Sequence, residues 1–272
     1  MAAGEQANRK RVRRFAIALI VLAPALYFAP SVTLFFVVCG ALDIGRHFKI
    51  TPGMAEKYFL GNGILTWLLS PINLLADILS ARNLGIYRLE DLPAEHRAEI
   101  EACVKAFVDN GELIKAHVAD VLGDKKRGML AFKWYAKQQD NTLKIPAFER
   151  EYRYIKTIAV SVFRTQEKTS WHFGPLRLTF RVLFNLDPVD SDQVFIGVDD
   201  KTHFWNKQPL FIFDDTLFHC SVNGSEQARY CLFMDIVRPN HLRPAFEAAI
   251  AGAALIASSF KTMFYKNWSF IR

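Results

Sequence analysis

Two histidines, His172 and His219, stand where the strands of a barrel would bring them together. His172 precedes a strand-like run at residues 178–186, and His219 follows two aspartates and precedes a second run at residues 230–237. Imidazole nitrogens are borderline ligands, and two of them suit a divalent iron while leaving coordination positions free for substrate and dioxygen. The chain has 7 histidines, so the metal-site hypothesis depends on the residues around this pair.

The elements that would position the two histidines begin near Tyr154. Short runs rich in Val, Ile, Phe and Thr alternate with polar turns, and no helical pattern separates them. These runs lie at residues 154–163, 176–186, 193–198, 203–205, 209–215 and 229–237. Short strands at this spacing favour an all-β sandwich or barrel over βαβ units. We expect the barrel to close by about Val237.

Each histidine belongs to a short motif with an arginine at a fixed distance. His172 begins His-x-Gly-Pro, with the glycine at Gly174, and Arg181 follows the histidine by nine positions. His219 ends Phe-Asp-Asp-x-x-x-His, and Arg229 follows it by ten positions. Both motifs, with these spacings, resemble those of the aspartyl/asparaginyl β-hydroxylase family, which includes the bacterial lipid A hydroxylases.

The resemblance runs without gaps through both motifs. It begins at Ser161 and ends at Pro239, it includes Trp205 and Asp235, and it has a weaker counterpart at residues 132–135. Two motifs with correct internal spacing form a more specific signal than a single short pattern. The fold that the resemblance implies is a mainly β catalytic domain, a double-stranded β-helix or cupin-like jelly roll, with N-terminal membrane helices and flanking α-helices.

The resemblance also implies a role for each site residue. His172 and His219 would bind Fe(II), and Arg229 would pair with the distal carboxylate of the cosubstrate 2-oxoglutarate. Arg181 and Ser161 would assist around this cosubstrate, and ascorbate is allowed as an accessory cofactor. A guanidinium fork binds a carboxylate bidentately and stays charged inside a barrel, which agrees with the role of Arg229.

Two positions depart from the patterns of related enzymes. Many iron oxygenases have a carboxylate two residues after the first histidine, where this chain has Gly174. The peptide β-hydroxylase branch also has glycine there, whereas lipid A hydroxylases have aspartate. Leu183 stands where the family usually has a histidine that helps hold 2-oxoglutarate, and losing that hydrogen bond costs roughly 1–3 kcal/mol. A degenerate, non-catalytic member of the family is therefore one alternative.

Other polar residues of this region have structural interpretations. We expect Asp214 or Asp215 to cap the turn before His219 or to orient a histidine through a hydrogen bond. We expect His203 to be an exposed hairpin residue. We propose no catalytic role for the remaining histidines, His47, His96, His117 and His241.

The N-terminal part of the chain is typical of a membrane anchor. Residues 15–42 carry no charge, whereas a membrane span needs about 20 apolar residues. Pro24 and Pro30 disturb helical hydrogen bonding, so this segment forms either one tilted span or a hairpin of two helices. Five cations between Arg9 and Arg14 predict a cytoplasmic N-terminus. The run exceeds the h-region of a signal peptide, about 7–15 residues, so we expect no cleavage.

Charge and cysteine content exclude other classes of protein. The formal net charge is +7, and much of it lies in the N-terminal arm, so anionic lipid headgroups are expected as its partner and nucleic acid is not. The 4 cysteines show no paired spacing and no CxxC. Neither a zinc knuckle nor a disulfide framework is indicated, which favours reduced thiols and a cytosolic catalytic face.

We divide the chain into four regions. Residues 1–90 form the membrane anchor and an interrupted apolar segment at 58–80, which is either an interfacial or re-entrant element or a core helix. Residues 91–150 form a helical linker region that is interrupted near Asn110. Residues 151–243 form the hydroxylase domain. Residues 244–272 form an amphipathic helix, with helical texture over 244–265, that docks on the barrel or lies on the bilayer.

The apolar segments bracket the predicted barrel on both sides in the sequence. A hydroxylase of lipid acyl chains needs such segments, whereas a peptide hydroxylase does not. We therefore expect an Fe(II)/2-oxoglutarate dioxygenase of the inner (cytoplasmic) membrane, with its catalytic domain facing the cytosol. Its expected substrate is the acyl chain of a membrane lipid such as lipid A or ornithine lipid. The alternatives are peptide aspartyl/asparaginyl β-hydroxylation and a membrane scaffold without catalysis.

Overall fold

The computed structural model describes residues 2–47, 49–61, 63–259 and 269–271. The helices of this part of the chain are α1 (Ala2–Phe28), α2 (Pro30–Ile44), α3 (Pro52–Leu60), α4 (Ile64–Ile78), the short 3-10 helix Leu89–Asp91, α5 (Ala94–Asp109), α6 (Gly111–Leu122), α7 (Pro146–Glu149) and α8 (Arg243–Ser259). The strands are β1 (Ile86–Tyr87), β2 (Arg127–Trp134), β3 (Lys137–Gln138), β4 (Ile155–Phe163), β5 (Glu167–Lys168), β6 (Thr179–Asn185), β7 (Val194–Val198), β8 (Lys201–Phe204), β9 (Leu210–Phe213), β10 (His219–Asn223), β11 (Arg229–Val237) and β12 (Ser269–Ile271).

The strands form two sheets that face each other. The larger has the order β1-β9-β6-β11-β4-β2-β12, with β3 on β2, and the smaller has the order β5-β10-β7-β8. All strand pairs are antiparallel except β12 with β2. One apolar cluster joins the facing sides, with Phe233 and Ala159 from the larger sheet and Ile196 and Val198 from the smaller. This mainly antiparallel, cupin-like arrangement agrees with the fold class expected from the sequence.

Alternation along the strands separates two faces of the larger sheet. Leu232 and Met234 of β11 pack into the main core on the outer face, together with Phe107 of α5 and Ile114 of α6. Successive side chains of a strand point to opposite faces. The odd-numbered residues of β11 therefore point inward, between the two sheets, and the cavity described below is built on that inner face.

The N-terminal helices fold back on one another. Pro24 lies inside α1, whereas Pro30 is the first residue of α2, where a missing N–H is tolerated. Arg11 of α1 pairs with Glu56 of α3 at 3.0 Å, and Ile44 at the end of α2 packs in one cluster with residues of α3. Because α1 and α2 both reach α3, the chain reverses at the break between them.

None of the helices in the described ranges is, by itself, both long and apolar enough to cross a bilayer. Helices α3 and α4 satisfy the length and composition together, but they meet at a bend of 88°. The N-terminal membrane helices expected from the sequence are thus not seen as a single span. The bend explains the interrupted apolar pattern of residues 58–80.

A buried ion network attaches the N-terminal helices to the β domain. Arg177, which is fully buried, pairs with Asp43 of α2, with Asp77 of α4 and with Asp214, the last at 3.3 Å. Arg238, after β11, also pairs with Asp77. These contacts fix α2 and α4 against the strands that lead to the two histidines.

Two strands, β2 and β12, lie where the sequence analysis expected none, and the position of α8 matches one of its two alternatives. Strand β2 lies within residues 91–150, the predicted helical linker, and pairs with β4 in the larger sheet. Helix α8 docks on the β domain, where Phe246 and Ile250 pack with Val237. The sequence analysis predicted a helix over 244–265, and the structure has α8 as far as Ser259. The remainder of the predicted helix falls in residues 260–268, which lie outside the described residues. Strand β12 then pairs with β2; no strand was expected there.

Candidate active site

The two histidines lie side by side where the sheets approach each other. His172 and His219 form a two-residue antiparallel bridge, in which each backbone N–H donates to the carbonyl of the other at 2.9 Å. Their ring centroids are 4.2 Å apart. This spacing places both imidazoles on one side of a single cavity, as the sequence analysis expected.

Both imidazoles are held in the same tautomer. Nδ1 of His172 lies 2.7 Å from the carbonyl oxygen of Ser170, and Nδ1 of His219 lies 2.8 Å from that of Leu217. A carbonyl oxygen only accepts, so each Nδ1 must carry the proton and donate it. Each Nε2 then keeps its lone pair. Metal-binding histidines usually show this arrangement, in which the second ring nitrogen donates to a backbone or carboxylate oxygen.

Burial keeps both rings uncharged. It lowers the pKa of His172 to about 4 and that of His219 well below its ordinary value, and the neighbouring imidazole lowers the latter further. A neutral imidazole is the form that binds a metal. The two residues are therefore ready as ligands near neutral pH.

No carboxylate completes the pair. Within the described part of the chain, no group of three or more His, Cys, Asp or Glu side chains is arranged to hold a metal ion. Gly174, where many iron oxygenases have their carboxylate, packs against Asp215: a Cβ at this glycine would lie 2.6 Å from the carboxyl carbon. The residues present fit a divalent iron held by two imidazoles, with its remaining positions left to other molecules.

Arg181 holds Asp215 in this place. Its Nη2 donates to Asp215 Oδ2 and its Nε to Asp235 Oδ1, both at 2.7 Å, and its guanidinium lies 3.9 Å from the ring centroid of Phe233. Two carboxylates thus pair with the guanidinium of Arg181, which the resemblance had placed as an assisting residue around the cosubstrate. Arg181 borders the cavity, but its contacts are those of a positioning residue.

Asp215 carries an unusual carboxyl group. Burial raises its pKa to about 7, and the nearby Asp235 and Asp214 act in the same direction, while Arg181 opposes them. We expect a mixture of protonated and ionised forms of this side chain near neutral pH.

Arg229 is a buried cation without an acidic partner in the described structure. Its Nη2 donates to Ser221 Oγ at 2.8 Å, whereas its Nε and Nη1 are buried and have no hydrogen-bond partner. The guanidinium lies 4.7 Å from the ring centroid of Phe163 and 5.3 Å from that of Trp205. Burial lowers its pKa. An unpaired buried charge costs several kcal/mol, so this position is built to receive an anion.

Neighbours of Arg229 define the polar end of the cavity. Ser161 borders the cavity and donates to the carbonyl of Cys231 at 3.3 Å. Ser221 and Thr169 also border it, and the sequence analysis missed both. Ser221 lies two residues after His219 on the same strand, so the period-two alternation of β10 was the signal that could have found it.

The opposite end of the cavity is apolar. The cavity has a volume of about 350 Å³, and its wall includes Ile64 and Leu65 at the start of α4, Leu176, and Ile250 of α8. Ile64 is also 43% exposed on the outer surface. Both helices therefore lie on the same side of the β domain as the histidines, and the apolar wall continues to the surface of the protein. Leu183, where the family usually has histidine, also borders the cavity and packs in the inner apolar cluster.

The aspartates before His219 play two different roles. Asp214 accepts from the N–H and hydroxyl of Thr216 at 2.9 and 2.6 Å, so it caps this turn. Burial alone would raise the pKa of Asp214, but Arg46 and Arg177 hold it below its usual range.

His203, expected to be exposed, is instead partly buried and stacks on Phe211 with ring centroids 4.3 Å apart. Burial lowers its pKa to about 4.

Sequence comparisons match the central part of the chain to a known family. The family described as Aspartyl/Asparaginyl beta-hydroxylase matches residues 96–239. An ornithine lipid ester-linked acyl 2-hydroxylase of Rhizobium tropici is 30% identical over 86 residues, which cover 31% of each chain. The similarity thus spans about a third of the length of that relative.

Solved structures with some similarity include a Trichoplax adhaerens prolyl hydroxylase in complex with a hypoxia inducible factor peptide fragment. It is 15% identical, with a TM-score of 0.27 over 35% of this chain and 47% of that one. A cupin domain of Bordetella pertussis is 14% identical, with a TM-score of 0.26 over 42% of this chain and 98% of that one.

Proposed function

Because this chain belongs to the aspartyl/asparaginyl β-hydroxylase family, we propose that it is an Fe(II)/2-oxoglutarate-dependent dioxygenase that hydroxylates an acyl chain of a membrane lipid. The lipid would be of the lipid A or ornithine-lipid type, and the two facing sheets would form a double-stranded β-helix. The observation that carries the proposal is Arg229, whose buried guanidinium has two nitrogens without a hydrogen-bond partner among the described residues, inside a cavity that both histidines border.

In this proposal His172 and His219 hold Fe(II) through Nε2, because their Nδ1 protons are already donated to backbone carbonyls. Bound iron would supply the oxidising chemistry, in which dioxygen and 2-oxoglutarate are consumed and succinate and carbon dioxide are formed. Arg229 would bind the distal carboxylate of 2-oxoglutarate through a bidentate pair of hydrogen bonds. Ser161 and Ser221 would offer hydroxyl groups beside it, and the apolar wall would exclude water from the reacting carbon.

Two observations favour a lipid over a peptide. The cavity wall joins the polar end to exposed apolar residues of α4, so an acyl chain could enter without crossing water, where each methylene costs about 0.8 kcal/mol to expose. The Rhizobium tropici relative is named as an acyl 2-hydroxylase of ornithine lipid. We propose the same substrate class, with the helices α1 to α4 resting on the cytosolic face of the inner membrane, where Fe(II) and 2-oxoglutarate are supplied.

A second candidate is peptide aspartyl/asparaginyl β-hydroxylation, which Gly174 favours because the peptide branch also has glycine at that position. A third is a non-catalytic member, which Leu183 favours because leucine cannot hydrogen-bond the cosubstrate. Ascorbate stays an accessory cofactor in each catalytic case. The three candidates differ in which molecule becomes oxidised: a lipid, a peptide or neither.

The deciding experiment is mass spectrometry of lipids and peptides from cells that express the intact chain or Arg229→Ala. We expect a lipid species with one added oxygen in cells with the intact chain and none with Arg229→Ala. An exposed Arg82→Ala variant is the matched control and should keep the product. An oxidised peptide without an oxidised lipid would replace the lipid assignment, and equal lipid oxidation with Arg229→Ala would refute the proposed chemistry.

A further inference from the structure

Two cations meet where α1 runs past α3. The pair Arg11–Glu56 fixes α1 on α3. Arg14, three residues after Arg11, therefore lies near Lys57, the residue after Glu56. Burial and then the Arg14 guanidinium lower the pKa of Lys57, while the Glu56 carboxylate opposes them. The structure gives neither Arg14 nor Lys57 an ion pair with a carboxylate of the described residues. Glu56 is already paired with Arg11, so Arg14 and Lys57 keep an excess of positive charge, which favours the binding of an anion.

This pair lies next to the apolar end of the cavity. The carbonyl oxygen of Lys57 accepts from the N–H groups of Gly61 and Gly63, at 3.1 and 3.2 Å, and so closes the bend between α3 and α4. Ile64 and Leu65, which border the cavity, follow directly. The next residue after Lys57, Tyr58, has its ring centroid 5.3 Å from that of Phe173, the neighbour of His172.

The surface around the pair is apolar. On α1, Phe15 and Leu19 are 44% and 68% exposed, and on α4, Ile64 and Leu68 are 43% and 44% exposed. Cations at the border of an exposed apolar face are the pattern of a protein surface that contacts anionic lipid. A headgroup at the cations and an acyl chain at the cavity wall would be parts of one molecule.

We propose that Arg14 and Lys57 bind the anionic group, phosphate or carboxylate, of the headgroup of the lipid whose acyl chain enters past Ile64, Leu65 and Ile250. The inference rests on the proposed lipid substrate and adds the charge of its headgroup. Arg14 and Lys57 would hold the lipid at the surface and so determine how far along the acyl chain the reacting carbon lies.

The test uses short-chain lipids that stay monomeric in solution, because they report a binding site without the general attraction of a charged bilayer. We would titrate the intact, full-length protein with dihexanoyl phosphatidylglycerol and with dihexanoyl phosphatidylcholine by calorimetry. We expect tighter binding of the anionic lipid. Arg14→Gln with Lys57→Gln should remove this preference, a loss of about tenfold or more for two cations.

The matched control is Arg9→Gln with Arg13→Gln, which removes the same charge from exposed positions of the same helix. This control should keep the preference, and both double variants should unfold at the temperature of the intact protein. A preference that survives Arg14→Gln with Lys57→Gln, or that the control loses equally, would overturn the inference. Competition by inorganic phosphate as strong as by the lipid would also overturn it, since the site would then hold free phosphate.

The same protein separates this inference from the proposed function. Binding of 2-oxoglutarate without a preference for the anionic lipid would reject the headgroup site alone. A preference for the anionic lipid without binding of 2-oxoglutarate would reject the dioxygenase assignment alone. Arg229→Gln should lose 2-oxoglutarate and keep the lipid preference, because its side chain lies at the polar end of the cavity.

Discussion

The carboxylate of Asp215 occupies the space that a side chain at Gly174 would need. A Cβ at this glycine would approach Cγ and Oδ2 of Asp215 to 2.6 Å and its carbonyl oxygen to 2.8 Å. The glycine is therefore required by packing, whatever the metal needs. A carboxylate ligand at residue 174 and the aspartate at 215 exclude each other in this arrangement.

Gly174→Ala should destabilise the protein by about 1–3 kcal/mol, because the new methyl group must displace Asp215 and the Arg181 that holds it. Urea unfolding of the metal-free protein measures this loss. The double variant Gly174→Ala with Asp215→Gly should lose less than the sum of the two single variants, because the second change removes the clash with the carboxylate and leaves only the approach to the backbone carbonyl. Additive losses in the two changes would contradict the proposed contact.

Arg229→Gln should weaken binding of 2-oxoglutarate by roughly 10–100-fold, which corresponds to about 1.5–3 kcal/mol for hydrogen bonds to a charged group. Arg229→Lys should recover only part of this, because an ammonium cannot form the bidentate pair. Trp205, whose ring centroid lies 5.3 Å from the guanidinium, should report binding through its fluorescence. Arg82→Gln is the exposed control, and a similar loss with it would contradict a specific role for Arg229.

His172→Ala and His219→Ala should each weaken the binding of Co(II), which serves as a spectroscopic substitute for Fe(II). The loss of affinity should exceed roughly 10–100-fold, the cost of removing a hydrogen-bond partner of a metal ligand, because each change removes a ligand itself. Absorbance titration of the protein without cosubstrate measures this directly. His241→Ala, at an exposed position, should bind Co(II) as the intact protein does. Unchanged binding in either of the first two variants would remove that residue from the metal site.

Arg177→Met should destabilise the protein by about 3–5 kcal/mol, because it leaves Arg46 as the single cation for two buried carboxylates, those of Asp43 and Asp214. Lys105→Met, which breaks the exposed pair with Asp109, should cost no more than about 1 kcal/mol. Denaturant unfolding compares the two. Equal losses would mean that the buried network contributes no more than a surface pair.

His203 should contribute to acid destabilisation. Its pKa of about 4 in the folded protein is below that of an unfolded histidine, about 6.5. The unfolded chain therefore takes up this proton first, so stability is complete above pH 6.5 and falls as the pH drops toward 4. His203→Phe should flatten this part of the pH–stability curve and preserve stacking on Phe211. A curve unaffected by His203→Phe would contradict the buried neutral state.

The motif spacings and strand alternation were sufficient to predict which side chains share the cavity. Ser161, Leu183 and Arg229 lie on inward-facing positions of β4, β6 and β11, because a period of two fixes the face once one member is known. Strand β2 escaped prediction because seven of its eight residues are buried, which leaves no alternation to read, and because it follows two helices directly.

The contacts of Arg181 could not be predicted from the sequence. It lies opposite Asp235 only because of the register between β6 and β11, and it reaches Asp215 only because the turn before His219 brings that residue back to the sheet. Such pairings depend on the closed fold. For the same reason the pairing of α1 with α3, which brings Arg14 to Lys57, had no signal in the local sequence.

The carbonyl groups that orient the two imidazoles come from nearby in the chain. Ser170 lies two residues before His172, and Leu217 lies two residues before His219. Each ring is therefore aimed by its own strand end and does not need the ion to hold it. We expect that the metal can be stripped with a chelator and exchanged for another divalent ion without refolding, so that the same preparation can serve for crystallography and for spectroscopy.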